Sequence, residues 1–258
     1  MGPEARALKK AVSLKAIDEY EPDRRKLGKV VDEADLVILS APISEFEAIA
    51  RELAPLLSKG TVVTDVGSVK GPLVRRLEDQ FSPPGRFVGG HPIAGREKSG
   101  VEAASADLFL GAPCILTPTP RTSPEAIGAV RRFWEAIGAK VVSMDAETHD
   151  RILAAVSHLP HLIAYALVNT ILELQSKDGD LLSYSAGGFR DFTRVAASSP
   201  EMWRDICLAN RENLVAVIEA YEKTLDRLKR LILEGDGTGL ESEFGRAREV
   251  KEKLIQTS

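Results

Sequence analysis

Five short apolar runs divide the first half of the chain: residues 36–40 (LVILS), 61–65 (TVVTD), 86–89 (RFVG), 114–117 (CILT) and 140–143 (KVVS). They are near-continuous in Val, Ile and Leu, so they read as strands covered on both faces, as in a parallel sheet flanked by helices. Helical stretches fall between them over 44–57, 69–80 and 123–137. The last opens with Ser123-Pro124-Glu125, a capping hydroxyl followed by proline at the first helical position. Alternating strand and helix signals predict a layered α/β unit.

After Met144-Asp145 the strand signals stop and only helical periodicity remains. Leu214, Val217, Ile218, Tyr221, Leu225, Leu228, Leu231 and Ile232 recur at steps of three and four, the apolar stripe of a helix. The spacing predicts one long helix over 200–234, which implies packing in a bundle or against a second subunit. Residues 181–193 (LLSYSAGGFRDFT) interrupt the helices with a glycine pair. The change of texture places a domain boundary at about residue 146, giving units 1–146 and 147–258.

At 258 residues, 44% of them hydrophobic and 28% charged, the chain can bury a substantial core. A net charge of −4 creates no field that would recruit nucleic acid or a membrane surface, so an anionic substrate has to be met by a few local arginines or lysines. Cys114 and Cys207 fit no disulfide or metal spacing, and such sparse usage fits a reducing cytoplasm. No apolar run is expected to approach the roughly 18 residues of a membrane span, and MGPEARALKKA does not read as a signal peptide. The expectation is a cytoplasmic protein with a small-molecule substrate and neither nucleic acid nor membrane as partner.

The four histidines fall in two places: His91 behind two glycines and before Pro92, and His149, His158 and His161 at the start of the helical half. In open α/β sheets ligands sit beyond the carboxyl ends of the strands. Ala41-Pro42, Gly67-Ser68 and Gly90-His91-Pro92 each follow a strand signal, so all three are expected to line one crevice, with His91 in a turn. A histidine in such a turn can also be plain packing. His158 and His161, three apart, share a helix face, with Pro160 between them expected to loosen or kink the helix. Without HExxH or a third ligand at a recognisable spacing, the pair does not read as a zinc site.

In this order, DVGSVK (65–70), GGHPIAG (89–95), SHLPHLIAYAL (157–167) and GGFRDFTRVA (187–196) resemble the prephenate/arogenate dehydrogenase family of tyrosine biosynthesis. The resemblance runs from about Pro3 to the C-terminus. It implies an NAD(P)-binding Rossmann-like domain followed by a helical dimerisation domain, and a homodimer that oxidatively decarboxylates prephenate or arogenate. It also implies site residues. His91 accepts the ring hydroxyl's proton, for which a neutral imidazole is suited near neutral pH, with Ser68 holding it beside the nicotinamide. Arg194 meets the ring carboxylate through a bidentate guanidinium, and Gly187, Arg190 and Asp191 shape the same wall. His161 contacts the substrate side chain and His158 supports the site, though a core role for His158 stays open. Glu97 and Asp150 control access or polarity, unless they are surface charges, and Trp203 reaches the pocket from the partner subunit. Ala41, Pro42, Gly67 and Ser68 flank the nicotinamide of NAD or NADP.

The sequence departs from that pattern at one point. A dinucleotide domain opens with a strand, a GxGxxG turn at a helix N-terminus and an acidic residue roughly 20 positions on, and this chain contains no GxGxxG. Its opening PEARALKKAVSLKAID resembles the helix after the family's second strand, so about 30 residues of the usual pattern are missing and a neighbouring strand is expected to lie unpaired. A silent homologue serving as a dimerisation module is therefore the alternative reading. The nearest rival enzyme class, β-hydroxyacid dehydrogenases, relies on a lysine where histidines are prominent here. Calorimetric titration of NAD+ into this 258-residue chain is expected to show weak binding or none; micromolar affinity would overturn that expectation.

Overall fold

Successive residues of a strand point to opposite faces of its sheet, and here both faces of the central strands are covered. The computed structural model describes residues 5–81, 85–95 and 100–256. After α1 (Ala5–Ser13) and α2 (Leu27–Val31), strands β1 (Leu36–Leu39), β2 (Val62–Asp65), β3 (Phe87–Pro92), β4 (Pro113–Thr117) and β5 (Lys140–Ser143) form one sheet in the order 1-2-3-4-5. Leu39, Val63 and Phe87 face α3 (Phe46–Leu53) and α4 (Gly71–Gln80), packing on Phe46, Ala50, Leu53, Leu73, Val74 and Leu77. Val88, Cys114 and Leu116 face α5 (Pro124–Ala136), packing on Ala126, Val130 and Trp134. This two-sided burial is why the strands read as apolar runs, each buried aliphatic side chain contributing about 1.5–3 kcal/mol.

Ser123 caps α5 as expected, accepting the Ala126 amide at 3.1 Å, with Pro124 first in the helix. Three of the four strand pairings are parallel, but β3 runs antiparallel to β4, a reversal that apolar runs do not signal. Among the described residues β1 ends the strand order, and its first three residues are only half-buried.

The largest correction concerns GGHPIAG. The expected turn at His91 is strand: β3 runs through Pro92, all six of its residues are buried, and His91 sits opposite Ile115. The two glycines serve close approach. A Cβ on Gly89 would lie 2.3 Å from Thr117 Oγ1, and one on Gly90 would lie 2.7 Å from the Asp65 carbonyl oxygen.

Beyond the sheet, α6 (Ala146–Leu153), a π-helical turn (Ala154–His158) and α7 (Leu159–Asp178) form one continuous run. The loosening or kink expected at Pro160 takes the form of this π turn just ahead of it, which accommodates the missing proline amide. By length and composition alone, residues 146–175 are apolar enough to cross a membrane. Counting uninterrupted apolar residues misses this because His149, Ser157, His158 and Asn169 divide the run. Then follow α8 (Gly187–Thr193), a 3-10 turn (Arg194–Ala197), α9 (Pro200–Ala209), α10 (Arg211–Glu234) and α11 (Gly237–Gln256). The single helix expected over 200–234 is broken at Asn210, which is 3% exposed and has left the helical conformation.

By contacts, residues 1–211 form one unit and residues 212–258 another; the change of texture near residue 146 falls inside the first unit, where strands give way to helices alone. Helix α6 packs on α4 and β4, and the segment after β1 packs on α9, so the early helices belong with the sheet. Within the second unit, Arg227 pairs with Glu243 at 3.1 Å and Asp236 caps α11 through the Gly239 amide at 2.9 Å. Replacing Gly90 with Ala is expected to lower the stability measured by urea denaturation by about 1–3 kcal/mol, because the new Cβ meets backbone that cannot swing away. An unchanged midpoint would contradict this.

Candidate functional site

The candidate site forms where the carboxyl ends of β2 and β3 meet α6, the π turn and Asn210. His91 Nδ1 lies 2.9 Å from His149 Nε2, and His149 Nδ1 lies 2.8 Å from Asp150 Oδ1. Asp150 is 2% exposed. It accepts the Lys70 amide at 2.8 Å on Oδ1 and the Gly71 amide at 2.7 Å on Oδ2. A carboxylate from α6 thus satisfies the free amides at the start of α4, whose positive end favours it.

Asn210 extends the network. Its Nδ2 donates to the Asp150 carbonyl at 2.8 Å and contacts His158 Nδ1 at 3.2 Å. An amide nitrogen only donates, so His158 Nδ1 accepts and its proton sits on Nε2. The same ring hydrogen-bonds the Ser68 backbone. At the start of the Gly67-Ser68 loop, Asp65 accepts the amides of Gly67 at 2.8 Å and Gly90 at 3.0 Å. Asp65 also pairs with Lys70 Nζ, and both side chains are fully buried.

Burial sets the electrostatics. It pushes His91 down to about 2, helped by Lys70, His149 and His158. It pushes His158 down to about 4 against the opposing pull of Asp150, and lowers His161 against the hydrogen bond that its Nδ1 donates to the Ser157 carbonyl. Burial also lowers Lys70, with Asp65 opposing, and raises the Cys114 thiol to about 12. The histidines near the strand ends are therefore neutral bases at ordinary pH.

His161 stacks on Trp203, centroids 3.9 Å apart and planes 22° apart, and His158 meets the same indole edge-on at 6.0 Å. Trp203, expected from a partner subunit, is 7% exposed and packs on histidines of its own chain. Together with Ile206 it also covers Val69 of the DVGSVK loop. Ala41 packs against the sheet core and Pro42 opens the short turn after β1. Leu39 and Asp65 are in register, so the Ala41-Pro42 and Gly67-Ser68 loops leave adjacent strand ends.

Gly187, Arg190, Asp191 and Arg194 lie exposed on α8 and the 3-10 turn after it. This segment packs on α7, the helix carrying His161, and is tied there by Tyr165, whose hydroxyl donates to the Ser198 carbonyl at 2.7 Å. Glu97 lies outside the described residues. The structure therefore brings His91, Asp150, His158 and the Ser68 backbone into one bonded network, and His158, His161 and Trp203 into one ring cluster. The arginine segment is joined to them through its packing on α7, the helix that carries His161. Sequence reasoning gives no role to His149, Asn210 or Lys70. Their signals are present but faint: the His149-Asp150 pair at the onset of the helical half, and Asn210 ahead of the apolar stripe. Among the described residues, no group of three or more His, Cys, Asp or Glu side chains is placed to hold a metal ion.

Strand-end loops converge on neutral imidazoles where open α/β sheets bind their ligands, and helices follow. Comparison with known proteins gives the class. Residues 2–143 match the family described as "Prephenate dehydrogenase, nucleotide-binding domain", and residues 145–246 match "Prephenate dehydrogenase, dimerization domain". The chain belongs to the prephenate dehydrogenase family, NAD(P)-dependent oxidoreductases. It is 40% identical over 222 residues to a cyclohexadienyl dehydrogenase of Zymomonas mobilis, covering 86% of this chain and 75% of that protein. It is 32% identical over 257 residues to a prephenate dehydrogenase of Bacillus subtilis, covering 95% and 69%. The crystal structure of the Aquifex aeolicus prephenate dehydrogenase with hydroxyphenyl propionate and NAD+ is similar at a TM-score of 0.89 and 45% identity, over 97% of this chain and 85% of that one. Synechocystis arogenate dehydrogenase is similar at a TM-score of 0.79 and 31% identity, over 97% and 88%.

Buried neutral histidines make the fold sensitive to acid. His158 binds a proton near 6.5 when unfolded and only near 4 when folded. Between those values the unfolded state holds more protons, so stability is full above about pH 6.5 and declines as the pH falls toward 4. Urea midpoints measured from pH 7.5 to 4.5 are expected to fall through this window, and less steeply in His158→Gln. A flat midpoint would contradict the burial of neutral imidazoles.

Proposed function

We propose that the chain oxidatively decarboxylates prephenate to 4-hydroxyphenylpyruvate, with His91 as the group that takes the ring hydroxyl's proton. The observation carrying this reading is the position of His91: on β3, hydrogen-bonded through Nδ1 and held neutral, beside the Ser68 loop at the end of β2. NAD(P)+, when bound, accepts the hydride from the carbon bearing that hydroxyl. Ala41, Pro42, Gly67 and Ser68, on adjacent strand-end loops, suit the nicotinamide end. Their fit stops there, because the sequence has no GxGxxG turn to cradle the pyrophosphate.

In this reading the hydroxyl proton moves to His91 as hydride departs. The electron pair of the bond to the ring carboxylate then enters the ring, CO2 leaves, and the new phenolate oxygen takes the proton back. Arg194 holds the ring carboxylate until that bond breaks, with Gly187, Arg190 and Asp191 forming the adjoining wall. His161, stacked on Trp203, meets the substrate side chain. His158 holds the Ser68 loop, and Glu97 and Asp150 set access and polarity. The unit from residue 147 onward supplies the dimer contact: the second matched family is described as a dimerization domain, and Val156 and Leu172 expose apolar surface there at 68% and 49%. Prephenate is preferred to arogenate because family descriptions and the Bacillus and Aquifex relatives carry that name.

Reduced-nicotinamide formation at NAD+ or NADP+ concentrations high enough to offset the weak cofactor binding expected of this chain tests the reading. Prephenate is expected to outperform arogenate, and His91→Ala to cut turnover by about 10²–10⁴-fold. Arg194→Ala is expected to weaken prephenate binding, read as a raised KM for prephenate. Unchanged turnover in His91→Ala removes the histidine from the chemistry, and a preference for arogenate overturns the substrate.

A further inference from the structure

We propose that His149 and Asp150 are positioning residues that fix the tautomer of His91, leaving its proton-accepting lone pair on Nε2. This deepens, and rests on, the reading of His91 as the proton acceptor.

The argument follows the hydrogen-bond chain from its anchored end. Asp150 is oriented independently of the histidines: each of its oxygens accepts a backbone amide at the start of α4, and its own carbonyl accepts from Asn210. Its carboxylate therefore faces His149 as an acceptor, and His149 Nδ1 must carry the proton that spans the 2.8 Å between them. A neutral imidazole has one N–H. With Nδ1–H directed to Asp150, His149 Nε2 has only a lone pair to offer His91 across 2.9 Å. His91 Nδ1 then donates, and Nε2 is the atom left able to accept a proton.

Full burial of His149 keeps water from substituting for either partner. The chain also suits the charged moment of the reaction. A proton arriving at Nε2 leaves Nδ1–H already directed at His149, and through it at a carboxylate. Two buried rings that merely filled space would impose no tautomer. An aspartate acting through one imidazole on a second differs from the usual single-histidine arrangement only in length.

Nitrogen-15 NMR of histidine-labelled protein reads the tautomer directly, and with four histidines the signals are assignable by single replacements. In the unsubstituted protein His91 is expected as the Nδ1–H form. His149→Gln, whose amide oxygen can replace the lost acceptor, is expected to keep that form. His149→Phe is expected to shift His91 toward the Nε2–H form and lower kcat by about 10²-fold, with KM for the ring substrate nearly unchanged. An Nε2–H signal for His91 in the unsubstituted protein overturns the proposal without any variant having to fold. An Nδ1–H form that persists in His149→Phe overturns it as well. Spectra as expected, combined with full turnover in His91→Ala, would sustain the positioning role and remove the proton-acceptor reading instead.

Discussion

A carboxylate taken out of water has to find hydrogen-bond donors, and the arrangement of this site follows from how Asp150 finds them. Its two oxygens take the amides of Lys70 and Gly71, its backbone carbonyl takes Asn210, and His149 fills the remaining approach. One residue on α6 thereby caps α4, fixes the loop that carries Ser68, and sets the ring behind His91. Helices α4 and α6 are nearly 80 positions apart in sequence, so the strand ends and the helical segment hold each other in place. Removing one partner of such a network leaves others buried and unsatisfied, which is costlier than losing a single hydrogen bond.

The second constraint is space. Gly89 and Gly90 let β3 press against Thr117, Val74 and the β2 backbone, and that thinness lets the Gly90 amide reach Asp65 while His91 stays in the strand. Lys70, buried beside Asp65, completes a polar layer under the loop. Its positive charge and the burial both oppose protonation of His91 in the resting site. Base strength and position therefore come from the same packing, with the sheet supplying the rigidity.

Most of the sheet was legible because doubly covered strands write themselves as apolar runs, and Ser123-Pro124 marked the start of α5 without ambiguity. What escaped was decided by tertiary partners. GGHP looked like a turn because glycine and proline usually punctuate, whereas here the glycines answer to Thr117 and Asp65 from distant strands. The antiparallel β3–β4 pairing leaves no trace in either run. The apolar stripe hid the break at Asn210, whose side chain is drawn to Asp150 and His158 out of the helix. At the site, the motif histidines and Asp150 could be singled out. His149 could not, because its importance lies in having His91 on one side and Asp150 on the other, and pairings across 58 positions are not written in local spacing.

The most direct test of this organisation uses the protein's two tryptophans, Trp134 in the core between sheet and α5 and Trp203 against His161. Urea unfolding would be followed by fluorescence in Trp203→Phe, which reports the sheet, and in Trp134→Phe, which reports the histidine cluster. If Asp150 ties the two together, the curves normalised to fraction unfolded coincide, and adding Asp150→Ala separates them, with the Trp203 signal lost first. Curves already separate with Asp150 in place would contradict the claim that this carboxylate holds the strand ends and the histidines as one cooperative unit.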